Sequence, residues 1–330
     1  MCKKLTIASI LFFSLFYHSA QASQRDGMTL GTRAMGMAGI FSPQSDDSTG
    51  VFYNPAGLAM AEIGDFTIEQ GNAKPNTNNP NSTSPGDGEQ PLLIAYNSYA
   101  RYGHSAFAAG YAESKQRTIT ALGFAGMIGN ALAAGISYSY ITRKGENQSP
   151  NSSTSTDFLP MKVGLISKII QAKYVKMSLT GSYQMIIAND SLEPQASNIS
   201  ATDRLPTEPE GYTFGTHIKI PTAYFLLGIN YGINESTYNY DIDAKNLPSS
   251  RSEGYSAELH LPLWKKLAVS LRMGYKEKTW SDISQAIVTN ATGVGVSYAN
   301  RHFIDTATET IVRPDNSKLV FTSLSYAYQF

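Results

Sequence analysis

The chain has 330 residues, with 26 Lys+Arg against 26 Asp+Glu and a formal net charge of zero. That balance offers nucleic acid no basic face, and a single cysteine, Cys2, excludes a disulfide framework. Past the first 22 residues no stretch approaches 18 consecutive apolar side chains, so a helical membrane span is excluded.

In chain order, Lys3 and Lys4 precede an apolar run from Leu5 to Tyr17 that ends at Ala20-Gln21-Ala22. A basic start, an apolar middle and an A-x-A ending predict a cleaved signal peptide over residues 1–22, and the run is too short for a membrane anchor. Export would leave a mature chain from Ser23 with no cysteine. Residues 23–64 show no alternation and are expected to form a small domain of their own. Asn54 reads as a helix N-cap with Pro55 at the first helical position and Ala56 next, and Asp46-Asp47-Ser48 reads as the cap of a second short helix. Met28, Met35, Met37, Ile40, Phe41, Val51, Phe52, Leu58 and Met60 form an apolar set with no local partner.

From residue 65 onward period-two patterns dominate. In "VKMSLTGSYQM", Val175, Met177, Leu179, Gly181, Tyr183 and Met185 share one face, and Lys176, Ser178, Thr180, Ser182 and Gln184 share the other. "LAVSLRMGYK" and "YSAELHLPL" divide the same way. Fourteen such segments are predicted: 65–71, 91–101, 104–113, 117–127, 131–144, 158–168, 173–188, 212–232, 236–244, 254–263, 267–280, 290–299, 303–312 and 317–330. The first, fourth and eighth alternate poorly.

Even-numbered junctions are brief: Tyr102-Gly103, Ile128 to Asn130, Ile169 to Ala172, Ile233 to Glu235, Trp264 to Lys266 and Asn300 to His302. Odd ones include long polar stretches such as "NAKPNTNNPNSTSPGDGEQ" and "NDSLEPQASNISATDRLPTEPE". Short turns on one side and long loops on the other, with 20 Tyr and 14 Phe, predict an all-β fold: a transmembrane antiparallel β-barrel of about fourteen strands spanning 65–330. A soluble sandwich is the competing architecture. The last segment, "KLVFTSLSYAYQF", sets Val320, Leu324, Tyr326, Tyr328 and Phe330 on one face. It resembles the signal read by the outer-membrane barrel-assembly machinery, with Tyr326, Tyr328 and Phe330 as its aromatics. Inside a barrel, the apolar set of residues 23–64 gains a place to be buried.

Residues 31–59, "GTRAMGMAGIFSPQSDDSTGVFYNPAGLA", resemble the N-terminal hatch of the FadL family of outer-membrane long-chain fatty acid transporters and their TodX-like hydrocarbon-channel relatives. The match covers Asn54-Pro55-Ala56 and the preceding Asp46-Asp47. The resemblance implies a fourteen-stranded barrel in the outer membrane of a Gram-negative bacterium, plugged by the hatch. It implies a monomer surrounded by outer-membrane lipid and passing hydrophobic small molecules such as fatty acids or hydrocarbons. Met35, Met37, Phe41 and Phe52 would line or plug the path, with Asn54, Pro55 and Ala56 fixing the hatch. Similar openings occur in PorV-like secretion and surface-assembly barrels, which leaves a non-transporting partner role as the alternative.

Enzymatic, metal and cofactor chemistry find little support in the sequence. "GTRAMGMA" lacks the Lys-Ser/Thr of a phosphate loop, Asp46 and Asp47 supply too few ligands for calcium, and no cofactor motif is present. Ser256, Glu258 and His260 share a strand face, but Ser256 and His260 lie roughly 13 Å apart at strand rise, beyond nucleophile–base reach. Arg272, Lys162 and Lys176 face inward by parity and are candidate partners for a ligand carboxylate. Pairing with Asp241, Asp305 or Glu309 is the alternative role.

Overall fold

A computed structural model describes residues 29–61, 63–76, 91–100, 105–114, 117–144, 155–189, 210–237, 249–281, 283–313 and 317–330. The signal segment, Met28, His104 and Asp241 lie outside them. The first seven strands are β1 Asp65–Asn76, β2 Leu92–Ala100, β3 Ser105–Glu113, β4 Arg117–Ile128, β5 Leu132–Lys144, β6 Ser155–Gln171 and β7 Lys176–Asn189. They continue as β8 Glu210–Pro221, β9 Leu226–Thr237, β10 Ser249–Trp264, β11 Leu267–Trp280, β12 Ile283–Tyr298, β13 His302–Val312 and β14 Lys318–Gln329.

Each strand pairs antiparallel with its chain neighbours, and β1 closes on β14 with Asp65 opposite Gln329, giving a fourteen-stranded closed barrel. Closure leaves no strand edge unpaired. The even junctions are all short and gather at one end, as at Gly129–Ala131, Lys265–Lys266 and Ala299–Arg301. The chain enters β1 and finishes at this same end, where the Phe330 amide donates to the Gly64 carbonyl at 3.2 Å.

The two faces decide between the architectures. On β7, Ser178 and Thr180 are buried while Leu179 and Tyr183 are 47% and 44% exposed. On β11, Arg272 is buried between the exposed Leu271 and Met273. Polar side chains inside and apolar ones outside invert a soluble sandwich and suit a hydrocarbon surround. Exposed aromatics mark two levels on the outer wall. Tyr174, Tyr224 and Trp264 stand near the short turns, and Tyr183, Tyr231 and Tyr255 stand higher. Tyr255 and Trp264 are nine residues apart on β10, about 30 Å along the strand and about 23 Å after a tilt of about 40°. That is the height of an outer-membrane apolar band.

Two strand expectations are corrected. Residues 212–232 are not one strand, and the 233–235 junction is strand. Pro221 ends β8, and the Thr222 hydroxyl accepts from the Tyr224 and Phe225 amides at 3.2 and 2.9 Å, closing a tight turn. The apolar residues on both sides of this turn concealed it. The ninth segment therefore starts at Leu226, and its proposed end, 238–244, lies outside the described residues. The loop read before the tenth segment is shorter, because Ser249 to Glu253 already pair with β9. β4 alternated poorly for another reason: its inward side chains are Ile119, Ala121, Gly123 and Ala125, so both faces are apolar.

Candidate functional site: the lumen and the segment within it

Residues 29–61 fold into α1, Thr32–Met35, a run of turns, α2, Gly50–Tyr53, and a 3₁₀ helix, Pro55–Met60. Short helices suffice because the segment is enclosed: it packs against the inward faces of strands around the whole barrel, and Ala34, Met35, Met37, Phe41, Ala56 and Leu58 are fully buried. The wall is shaped to receive it. A side-chain carbon on Gly164 would strike the Asn54 side chain, one on Gly274 the Met37 backbone and one on Gly135 the Pro55 backbone at 2.5 Å. Nearby, Ala106, Ala108, Ala121 and Ala133 make the shallow bed for Val51, Ala56 and Leu58. Glycine and alanine at inward positions are thus required by close approach.

Polar bonds fix the segment's height. Asn54 Oδ1 accepts from the Ala56 amide at 3.1 Å, capping the 3₁₀ helix that Pro55 begins, while its Nδ2 donates to Thr180 Oγ1 at 2.6 Å. The Ser48 amide donates to Asp65 at 3.1 Å, the Thr32 amide donates to Glu69, and Thr29 Oγ1 donates to Glu309 at 2.8 Å.

At the centre lies a relay of charges. Arg33 donates to Asp46 at 2.7 Å, to Asp47 at 3.3 Å and through Nε and Nη2 to both oxygens of Glu258 at 3.1 and 2.7 Å. Arg272 continues it, reaching Glu258 at 2.7 Å and Asp305 at 2.5 Å. Burial, the largest influence, would raise Asp46, but the Arg33 guanidinium and the Lys219 ammonium together outweigh it and hold that carboxyl below the ordinary range. Burial, with Asp46 adding to it, pushes Asp47 up despite Arg33. The acidic pair therefore does not act as expected. The α2 N-cap position is Thr49, which makes no side-chain cap bond, and Asp47 instead closes a turn onto Thr49, amide at 2.9 Å and hydroxyl at 2.5 Å. Buried Arg33 needs counter-charges more than a four-residue helix needs a cap.

The lumen has three levels. Toward the long-loop end an apolar collar follows most of the wall: Leu93, Ile119, Ile141 and Phe158 on one arc, Ile287, Ile311, Leu319 and Phe321 on the other. Met35, Leu30 and Phe52 present the segment's apolar side to this collar. The segment occupies the middle. Below it, at the short-turn end, lies a cavity of about 420 Å³.

The predicted site residues distribute over these levels. Met35 and Phe52 meet the collar, whereas Met37 and Phe41 cluster with Ala34 and Tyr53 inside the segment, the Phe41 and Tyr53 rings edge-to-face at 5.5 Å. Arg272 is bound to Glu258 and Asp305. Lys162 Nζ donates to the Phe52 carbonyl at 2.6 Å, and Lys176 lines the lower cavity. Tyr326 and Phe330 lie on the outer wall, Phe330 stacked on Tyr96 at 5.8 Å. Ser256, Glu258 and His260 turn to separate partners: Ser256 donates to the Ile40 carbonyl, Glu258 takes the two arginines and His260 bonds Ser270. Sequence reading missed Arg33 as the hub and the collar altogether. The collar's signal was there, as runs such as Leu319-Val320-Phe321 in which both strand faces are apolar.

A closed fourteen-stranded barrel with an apolar outer wall and a folded N-terminal segment in its lumen is similar in fold to the FadL-type outer-membrane channels. Solved structures of that class match this chain over nearly its whole length. A monoaromatic hydrocarbon channel, CymD, superposes with a TM-score of 0.57 at 12% identity, covering 91% of this chain and 97% of its own. The P. putida toluene transporter TodX gives 0.56 at 11%, covering 92% and 99%, and a Pseudomonas aeruginosa FadL homologue gives 0.50 at 12%, covering 92% and 99%. No protein-family model matches the chain, and no curated protein does.

Proposed function

We propose that the protein is a passive outer-membrane channel for hydrophobic small molecules, long-chain fatty acids or hydrocarbons, with residues 29–61 acting as a movable hatch. The observation that carries this reading is the apolar collar. A water-filled pore would keep its lumen polar, yet here Phe158, Phe321, Ile119 and Ile311 face inward at the mouth. Each methylene that a ligand buries there contributes about 0.8 kcal/mol, so an apolar solute is drawn off the outer surface. The way onward is filled by the segment, held by side-chain bonds and one relay of charges. Shifting it opens a route without breaking any strand pair. Channels named for toluene and monoaromatic hydrocarbons among the similar structures support the ligand class.

The test is uptake of radiolabelled oleate and toluene by cells that lack their own transporter and express this protein, with heat-modifiable gel mobility confirming a folded barrel. Uptake above empty-vector cells is expected for at least one of the two. A folded barrel that passes neither contradicts the channel reading and favours a docking role for exported proteins.

A further inference from the structure

The rim of the barrel at the short-turn end carries charge of one sign. From β6 round to β13, Lys173 lies in the β6–β7 turn, Lys265 and Lys266 form the β10–β11 turn and Arg301 ends the β12–β13 turn, all four exposed. Segments 169–175, 222–225, 264–267 and 298–302 hold no Asp or Glu. None of the four cations has an ion-pair partner among the described residues. Two of the turns are neighbours: the Ala299 amide donates to the Lys266 carbonyl at 2.6 Å, which sets the Arg301 turn beside the lysine pair. Like charges so placed repel. A two-residue hairpin loop ordinarily takes Asn-Gly or a similar pair, so turn geometry does not account for Lys265-Lys266. Toward the long-loop end of β9, β10 and β11 the outer wall reverses sign, with Glu235, Glu253 and Glu277 against Arg251. The cations also stand next to exposed aromatics: Lys173 Nζ lies 5.2 Å from the Tyr174 ring centre, Lys265 follows Trp264, and the Arg301 amide donates to the Tyr298 carbonyl at 3.1 Å. Such aromatics mark the edge of the hydrocarbon, so the cations lie at the height of lipid head groups.

We propose that this basic arc binds the phosphodiester head groups of anionic phospholipids in the leaflet on the short-turn side. The phosphates lie against Lys265, Lys266 and Arg301, with Lys173 extending the arc, and clustered cations at a membrane surface add their attraction for anionic lipid. The wall directly above is apolar, with Leu263, Leu271 and Val296 between 43% and 50% exposed, and takes the acyl chains of the same lipids. A phosphate at the rim joined to hydrocarbon above it is what a lipid offers. An acidic soluble protein would meet only the turns. The proposal needs the barrel to span a bilayer and is independent of what passes through it.

The chain has two tryptophans, and Trp264, 72% exposed at the edge of the arc, is a built-in probe once Trp280→Phe removes the other. The test reconstitutes this variant in equimolar phosphatidylcholine and phosphatidylglycerol, with brominated chains on one lipid or the other, and reads quenching of Trp264. At low salt phosphatidylglycerol is expected to occupy the positions beside Trp264 about fivefold in excess of its share of the bilayer, and the excess should shrink at high salt. Lys265→Gln, Lys266→Gln and Arg301→Gln combined should bring the ratio close to one, whereas Lys265→Arg with Lys266→Arg should keep it, heat-modifiable mobility confirming each fold. Equal quenching by the two lipids overturns the proposal and leaves an acidic protein as the occupant. A ratio unchanged in the triple Gln variant overturns it as well. So does loss of the preference when glycerol 3-phosphate is added at the concentration of the lipid, since the arc would then be reading a free phosphate. Transport is not measured, so the outcome is separate from that of the uptake experiment.

Discussion

Arg33 is the residue on which the segment's position depends most. It satisfies Asp46, Asp47 and Glu258 together, and these side chains are between 12% and 27% exposed. Removing one partner of such a group strands the others, which costs about 3 kcal/mol. Arg33→Ala should therefore leave the barrel heat-modifiable but expose residues 29–61 to protease; unchanged protection would show that the relay does not hold the segment. The same carboxylates set a pH dependence. Asp46 is held low, so its contribution is present above the unfolded value of about 3.9 and is lost as pH falls through the lower folded value. Asp47 is held up, so its protonation favours the packed state and stability rises as pH falls through that raised value. Protease protection should rise slightly on mild acidification, then fall below about pH 3.9, and Asp47→Asn should reduce the rise and leave the fall. A steady loss from neutral pH downward would contradict this assignment. Asn54 and Pro55 were legible in the sequence because a cap is local. Arg33 was not, since its partner Glu258 lies 225 positions away and only the folded barrel brings them together.

At the scale of elements, the strands carry two different instructions on their inward faces. Near the short turns and at mid-height these positions are mostly polar, glycine or alanine, Met127 and Ile166 excepted, and near the long-loop end they turn apolar. Phe321, fully buried in the collar, gives the sharpest test: Phe321→Ser should lower uptake of hydrophobic solutes several-fold while leaving folding intact, because the collar loses affinity and no strand bond changes. Uptake equal to wild type would remove the collar from the path. Period two made fourteen strands readable wherever one face is greasy and the other wet, as on β7 and β11. It failed on β4, where the collar and the segment's bed make both faces apolar, and at Thr222, where apolar residues flank a turn. In each case function or tight packing erased the contrast that alternation depends on.

For the whole molecule, the barrel and its contents are separable. The fourteen strands close through main-chain pairs that do not involve residues 29–61, so deleting residues 31–60 should leave a folded barrel with raised conductance to polar solutes. Unchanged conductance would mean that something other than the segment closes the lumen. The central claim is stronger: the segment must move for hydrophobic solutes to pass. Thr32 in the segment and Ser323 on β14 face each other with their hydroxyl oxygens 2.6 Å apart, so sulfur atoms in their places lie within reach of a disulfide. The exported chain is expected to lack cysteine, so the pair Thr32→Cys and Ser323→Cys would form a single defined link. The measurement is oleate and toluene uptake by cells expressing that double variant, oxidised and then reduced. The account predicts that uptake is blocked by oxidation and restored by reductant. Equal uptake in both states would contradict a moving hatch.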